Sequence, residues 1–510
     1  MRASFRSLRL FLLGALALAG ALLFSACGTI GSTDAVNAAA TTTTPAVDWT
    51  PKAGLPFREP VQLHASNGRL KVRLEAKRGS IEVSGAPVVA TPFNGRLVGP
   101  TLHVKPGDTI ETLLVNATDQ DTNIHFHGLH VSPKGIGDNV FRTFRPGTTV
   151  KSQVTLPRDH PPGTYWYHVH LHGLTEGQVM GGLSGLLIVE DLKQLLPRRL
   201  RGIKERQLAI RDLQTTGGVV DDAEQIDPQG PTQRLVNGLL RPKLSLRSGE
   251  TQLWRIGNIG SDLFYNVALE GHTLQVIAED GSPVWNVHPA SHLVLPPGKR
   301  YDVLVTGGRP GSYQFKTLRY DEGFEAQPRV ELASVTVTGP RATGAAAHPA
   351  IPRRLRTPST PLGKRPIARK RTFVFSFGTG RTFEALINGR QFNPDVNNAV
   401  PILNTVEQWT LVNKSNEDHP FHIHVNDFQV VSVNGKPFHA NGLQDVVVIP
   451  KNGGRVVILN PFDDFPGHFV FHCHILGHED AGMMQTVDVI RRGARPTPPP
   501  GGGMAHMHDK

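Results

Sequence analysis

The chain has 510 residues, 39% of them hydrophobic and 19% charged, with a formal charge of +11 and only two cysteines. Two cysteines exclude a disulfide-framed scaffold, and this length is enough for several domains with large apolar cores. The basic excess lies largely in a leader and in a cluster from Arg353 to Arg371, with no nucleic-acid motif beside it, so no nucleic-acid partner is expected.

The N-terminus carries Arg2, Arg6 and Arg9, an apolar run from Leu10 to Phe24, and then Ser25-Ala26-Cys27. That run is too short for a membrane span and is followed by small residues, so 1–27 reads as an export signal. Cys27 resembles the acylated cysteine of bacterial lipoproteins, although Phe24 stands where leucine is usual. Ordinary cleavage near Ala26 therefore remains open. Either way the protein is expected outside the cytoplasm, in the periplasm or at the cell surface. Residues 28–47, rich in Ala, Thr and Ser, read as a flexible tether.

Three related units follow. Each carries an Asn-Gly pair: Asn94-Gly95, Asn237-Gly238 and Asn388-Gly389. In the first two units an alternating strand, a Gly-Asp or Gly-Glu turn and a second strand follow, ending at Asn116 and Asn258; the third is interrupted before a strand ending at Asn413. The repeat is about 145 residues long, and short Val-, Ile- and Thr-rich runs punctuated by Gly and Pro predict β-sandwiches with almost no helix. The limits read 48–195, 196–340 and 370–492, with a linker over 341–369 and a disordered tail over 493–510.

Histidine clusters occupy the first and third units: His125-Phe126-His127, His168-Val169-His170, His419-Pro420-Phe421-His422-Ile423-His424, and His472-Cys473-His474 with His478 and Met483 after it. On a strand, residues two apart share a face and the residue between them points away. Cys473 then faces one metal while His472 and His474 face another. Cysteine, histidine and methionine are the donors of a blue-copper site, with His419, offset in parity from His422 and His424, as a further donor. The remaining eight imidazoles would form a second site between the first and third units, with the middle unit as spacer and wall. His272, His288, His292 and His172 are not expected to be ligands, and Met484 is expected to pack.

The pattern resembles the multicopper oxidases, the family of laccases, cuprous oxidases and bilirubin oxidases, over nearly the whole chain after the leader. The resemblance implies an all-β fold of three tandem Greek-key cupredoxin-like domains and four copper ions. It implies a type 1 copper held by His419, Cys473, His478 and, axially, Met483. A type 2 copper would be held by His125 and His422, and a type 3 pair by His127, His168, His170, His424, His472 and His474. Glu479 and Asp138 match positions where the family keeps a carboxylate near the dioxygen path; Glu479 would relay protons and Asp138 tune the cluster, or each would only orient a ligand.

The implied activity is one-electron oxidation of a small reducing substrate coupled to reduction of dioxygen to water, by a monomer. With six methionines and no methionine-rich insertion, phenols or aromatic amines are the expected donors, and Glu417 and Asp418 would favour cationic ones. Oxidation of Cu(I) is the alternative, because the terminal Met504-Ala505-His506-Met507-His508 offers copper donors. A copper-storage protein is the alternative of another class; it would have no need of Cys473 between two histidines.

Overall fold

The Asn-Gly pairs that recur in the three units form tight turns in which both residues have positive φ, from 51° at Asn94 to 74° at Gly238. That conformation belongs to type I′ hairpins and suits asparagine and glycine. In each unit the asparagine side chain also accepts a hydrogen bond from a neighbouring strand. The donors are the backbone amides of Glu75, Ala209 and Val374. The repeat extends to the buried asparagines at the ends of the second strands. Asn116 donates to the carbonyls of Gln120 and Phe144, Asn258 to those of Leu263 and Leu295, and Asn413 to those of Glu417 and Ile449. One polar residue per unit thus ties a strand end to the loop after it, where an unmet buried carbonyl would cost about 1–3 kcal/mol.

The computed structural model describes residues 48–221, 231–344, 349–355, 359–380 and 382–499. The leader, Cys27, the tether and the terminal Met-His segment lie outside the described residues. Seven sheets form among those described, of three to seven strands each. In the first unit, Arg69–Lys77, Thr109–Ala117 and Thr149–Thr155 form one sheet, and Gln62–His64, Thr101–Val104, Ser184–Val189 and Gly163–His168 another. Their inward residues, including Leu74, Leu114, Tyr165 and Leu187, build one core. The middle unit pairs a seven-stranded with a five-stranded sheet around Trp254, Val303 and Phe315. The third pairs a six-stranded sheet with the four strands Val446–Ile449, His419–Ile423, Gly467–Cys473 and Met484–Val489, around Trp409, Phe421 and Phe471.

Alternation explains these assignments. Arg69–Lys77 reads RLKVRLEAK and buries Leu70, Val72, Leu74 and Ala76 while its charged residues face outward. Gly163–His168 and His419–Ile423 are buried on both faces, which places their histidines inside the molecule. Among the described residues, the short α-helices Thr175–Met180 and Leu476–Asp480 interrupt the strands. Within the segment expected to be a disordered tail, Thr497 is anchored by hydrogen bonds to Asp488 and from Asn397.

Candidate metal centre

The strand Gly467–Cys473 carries the split the parity argument requires. His472 pairs across the sheet with His422, and Cys473 with Phe421, so cysteine and histidine leave opposite faces. After His474 the chain turns into the helix Leu476–Asp480, which brings His478 back toward the thiol. Cys473 Sγ lies 3.5 Å from His419 Nδ1 and 3.7 Å from His478 Nδ1. Met483, fully buried, is joined to this turn by its own amide on the His478 carbonyl and by the Cys473 amide on its carbonyl. His419 is oriented from behind by Ser415 Oγ at 2.8 Å from Nε2, and Ser415 in turn donates to Asn413. Glu417 Oε2 lies 3.4 Å from His478 Nε2.

On the other face eight buried imidazoles converge. Nε2 of His170 lies 3.1 Å from Nε2 of both His424 and His472, and His474 Nε2 lies 3.1 Å from His127 Nδ1. The inward Nε2 atoms of His125, His168 and His422 have no hydrogen-bond partner. Their outward Nδ1 atoms are occupied by Asp138, the Val169 carbonyl and the Asp445 carbonyl. Burial first, then the neighbouring rings, lowers the pKa of His125, His170 and His424 well below the ordinary value, so the rings are held neutral, the form that ligates a metal. Neutral nitrogens gathered this closely repel unless a cation lies among them. Imidazole suits copper, and a buried thiol with two imidazoles and a thioether beside it selects copper over zinc. The donor set fits the group.

The cage forms between units, with His125, His127, His168 and His170 from the first and His422, His424, His472 and His474 from the third. The first pair departs from the strand reading: His125 makes only an isolated bridge to His168, and Gly128 turns left-handed just after it (φ 83°). Asp138 accepts the amide of Phe126 and sits 3.0 Å from His125 Nδ1, its carboxyl raised to about 8 by burial. Glu479 lies 3.3 and 3.2 Å from Nδ1 of His170 and His472 and accepts a hydrogen bond from Thr175. Burial lifts its pKa well above the usual range.

His172 packs against Phe392, and Met484 packs with Val140 and Val470. His272, His288 and His292 bond to Glu270 and Gly308, to Asn286 and Asn441, and to Asn266, away from the cage. Asp418 is buried, its oxygens accepting from Tyr320 and from the amide of Lys451, so it is not presented to a cationic substrate as expected. The middle unit is more than a wall. Its Gly298 abuts His127 and His474, and its Arg300 reaches Asp445, 3.1 Å from His127 Nε2. Sequence spacing carried no signal for Asp445, Arg300 or Ser415.

Three multicopper oxidase domain models match residues 75–194, 209–334 and 364–492. The chain belongs to the multicopper oxidase family. It is therefore a copper-dependent oxidoreductase of three cupredoxin-like domains. It is 29% identical to a multicopper oxidase of Staphylococcus haemolyticus, over 83% of this chain and 89% of that one. A multicopper oxidase of Campylobacter jejuni, described as a metallo-oxidase, superposes with a TM-score of 0.75 at 25% identity, covering 87% of this chain and 97% of its own. A laccase-like oxidase from Ochrobactrum, described as active toward lignin model compounds, superposes at 0.71 with 27% identity, covering 85% and 100%.

Proposed function

We propose that this multicopper oxidase takes single electrons from phenols or aromatic amines beside His478 and delivers them to the eight-histidine cage, where dioxygen is reduced to water. Bound copper, four ions per chain, supplies the one-electron exchange at both places. In this reading His419, Cys473, His478 and Met483 hold the type 1 ion, His125 and His422 the type 2 ion, and the other six histidines the type 3 pair. Contacts sort those six into two trios: His170, His424 and His472 share close nitrogens, while His127 and His474 meet beside His168.

The observation that carries the choice of donor is an exposed aromatic shelf over His478. Phe383 is 60% exposed with its ring 5.8 Å from that of His478, and Phe377 lies beneath it, 5.2 Å away. An aromatic donor can stack there, worth about 0.5–1.5 kcal/mol beyond simple burial. Glu417, beside His478 Nε2, is placed to take the proton that a phenol or arylamine loses on oxidation. Electrons then have two short routes from the thiolate. One is the backbone to His472 and His474; the other is the hydrogen bond that His472 Nδ1 donates to the Cys473 carbonyl at 2.9 Å. Glu479, between two ligand rings and Thr175, passes protons to the cage, and Asp138 fixes His125.

Oxidation of Cu(I) is the second reading, favoured by the metallo-oxidase description of the Campylobacter jejuni relative. Against it, the methionines among the described residues, Met180, Met483 and Met484, are all buried and offer no thioether surface. Dioxygen uptake by the copper-loaded monomer with a phenol, an arylamine and Cu(I) distinguishes the two. We expect both aromatic donors to turn over, and Phe383→Ala to raise KM about fivefold for them with little change in kcat. Faster turnover of Cu(I), unaffected by Phe383→Ala, would favour the second reading. No uptake with any donor would leave only copper storage. The proposal includes export, with the chain either lipid-anchored through Cys27 or released by cleavage near Ala26.

A further inference from the structure

Seven of the eight cage histidines turn Nε2 inward, and His127 alone presents Nδ1. The reason lies in a residue of the third unit and in the middle-unit residue that grips it. His127 Nε2 is 3.1 Å from Asp445 Oδ1, so that nitrogen carries the proton and Nδ1 keeps its lone pair. Asp445 is gripped by Arg300 of the middle unit in a two-pronged pair, both bonds 2.7 Å. Both Asp445 oxygens already accept from the guanidinium, so the side chain meets His127 as an acceptor.

Everything around the pair restricts it. Arg300 and Asp445 are 0% and 1% exposed. Arg300 also donates to the carbonyls of Thr164 and Gly298. Asp280 accepts the amides of Arg300, Asp445 and Val446, so Arg300 and the backbone on either side of the Asp445–Val446 peptide are tied to one carboxylate. A Cβ on Gly128 would strike Arg300 and Asp445, and one on Gly298 would lie 3.0 Å from His474. The Asp445 carbonyl, meanwhile, accepts from His422 Nδ1 at 2.9 Å. One residue therefore orients a ligand from each flanking unit, by its side chain and by its backbone.

We propose that the Arg300–Asp445 pair is the positioning device of the cage: the unit without ligands sets the tautomer of His127 and thereby which of its nitrogens meets the metal. A buried ion pair contributes little net stability against an apolar replacement, whereas partners of ligating histidines commonly govern metal affinity by 10- to 100-fold. The inference rests on His127 being a cage ligand.

The test is Arg300→Lys, which keeps the charge but loses the fork, beside Asp445→Asn, which keeps the shape but loses the charge. Copper content, the blue absorption of the cysteine site, the paramagnetic resonance of the cage and the melting of the metal-free proteins are measured for each. We expect the blue absorption to persist in both, with cage copper bound about 10- to 100-fold more weakly and its resonance altered. Asp445→Asn leaves the buried guanidinium short of a counter-charge and should lower metal-free melting somewhat, whereas Arg300→Lys, which keeps the charge, should melt closer to wild type. Unchanged cage affinity and resonance in either folded variant would overturn the proposal, as would loss of copper matched by equal loss of metal-free stability. Wild-type protein without cage copper would instead remove the ligand assignment on which the proposal rests.

Discussion

At the scale of single residues, the molecule keeps neutral imidazoles neutral by giving each nitrogen one role. His160 illustrates this away from the metals. Its Nε2 accepts the amide of His130 and its Nδ1 donates to the Pro161 carbonyl, so a second proton would set donor against donor. Burial lowers its pKa to about 3. The unfolded chain binds this proton near pH 6.5 and the folded one does not, so the contribution is present above about pH 6.5 and is lost as pH falls toward 3. In copper-loaded protein, His160→Gln, which keeps an acceptor and a donor, should flatten the fall in stability over that window in denaturant titrations. A variant curve parallel to wild type from pH 6.5 to 4 would count against this.

At the scale of elements, the helix Thr175–Met180 has no cap of its own, since Leu174 makes no side-chain bond there. The cap comes from the third unit, where Asp480 accepts the amides of Gly173, Thr175 and Glu176. The same helix start presents Thr175 to Glu479. Asp480→Ala should therefore cost about 0.5–2 kcal/mol, read by thermal melting, and should slow dioxygen reduction more than electron uptake by the blue site. Equal slowing of both steps would mean that the helix does not position Glu479. Element by element, the sequence was most informative where periodicity and side-chain chemistry coincide. Cys473 between two histidines places two sites on two faces once the strand is extended, and Asn94, Asn237 and Asn388 announce their turns because few other residues tolerate positive φ twice running. His125 and His127 were harder, because their loop is held by Asp138 and Gly128 rather than by a ladder. The return of His478 to the thiol needed a helix of five residues, too short to leave a periodic signal.

At the scale of the whole molecule, three repeats with one design carry different burdens. The first and third supply the cage, and the second, which lost or never had ligands, reaches it through Gly298 and Arg300. That contribution was invisible in the sequence because Arg300 at the start of one strand and Asp445 just before another belong to different units and acquire meaning only when those units pack. The chemical claim for the molecule is that sulfur on one face of a strand gathers electrons for imidazoles on the other. Replacing Cys473 with serine and measuring copper content, colour and dioxygen uptake together tests it most directly. Wild type should bind four coppers and the variant three, with the blue colour and donor-driven uptake both lost. A variant that stayed blue, or that reduced dioxygen with the aromatic donor at the wild-type rate, would contradict it.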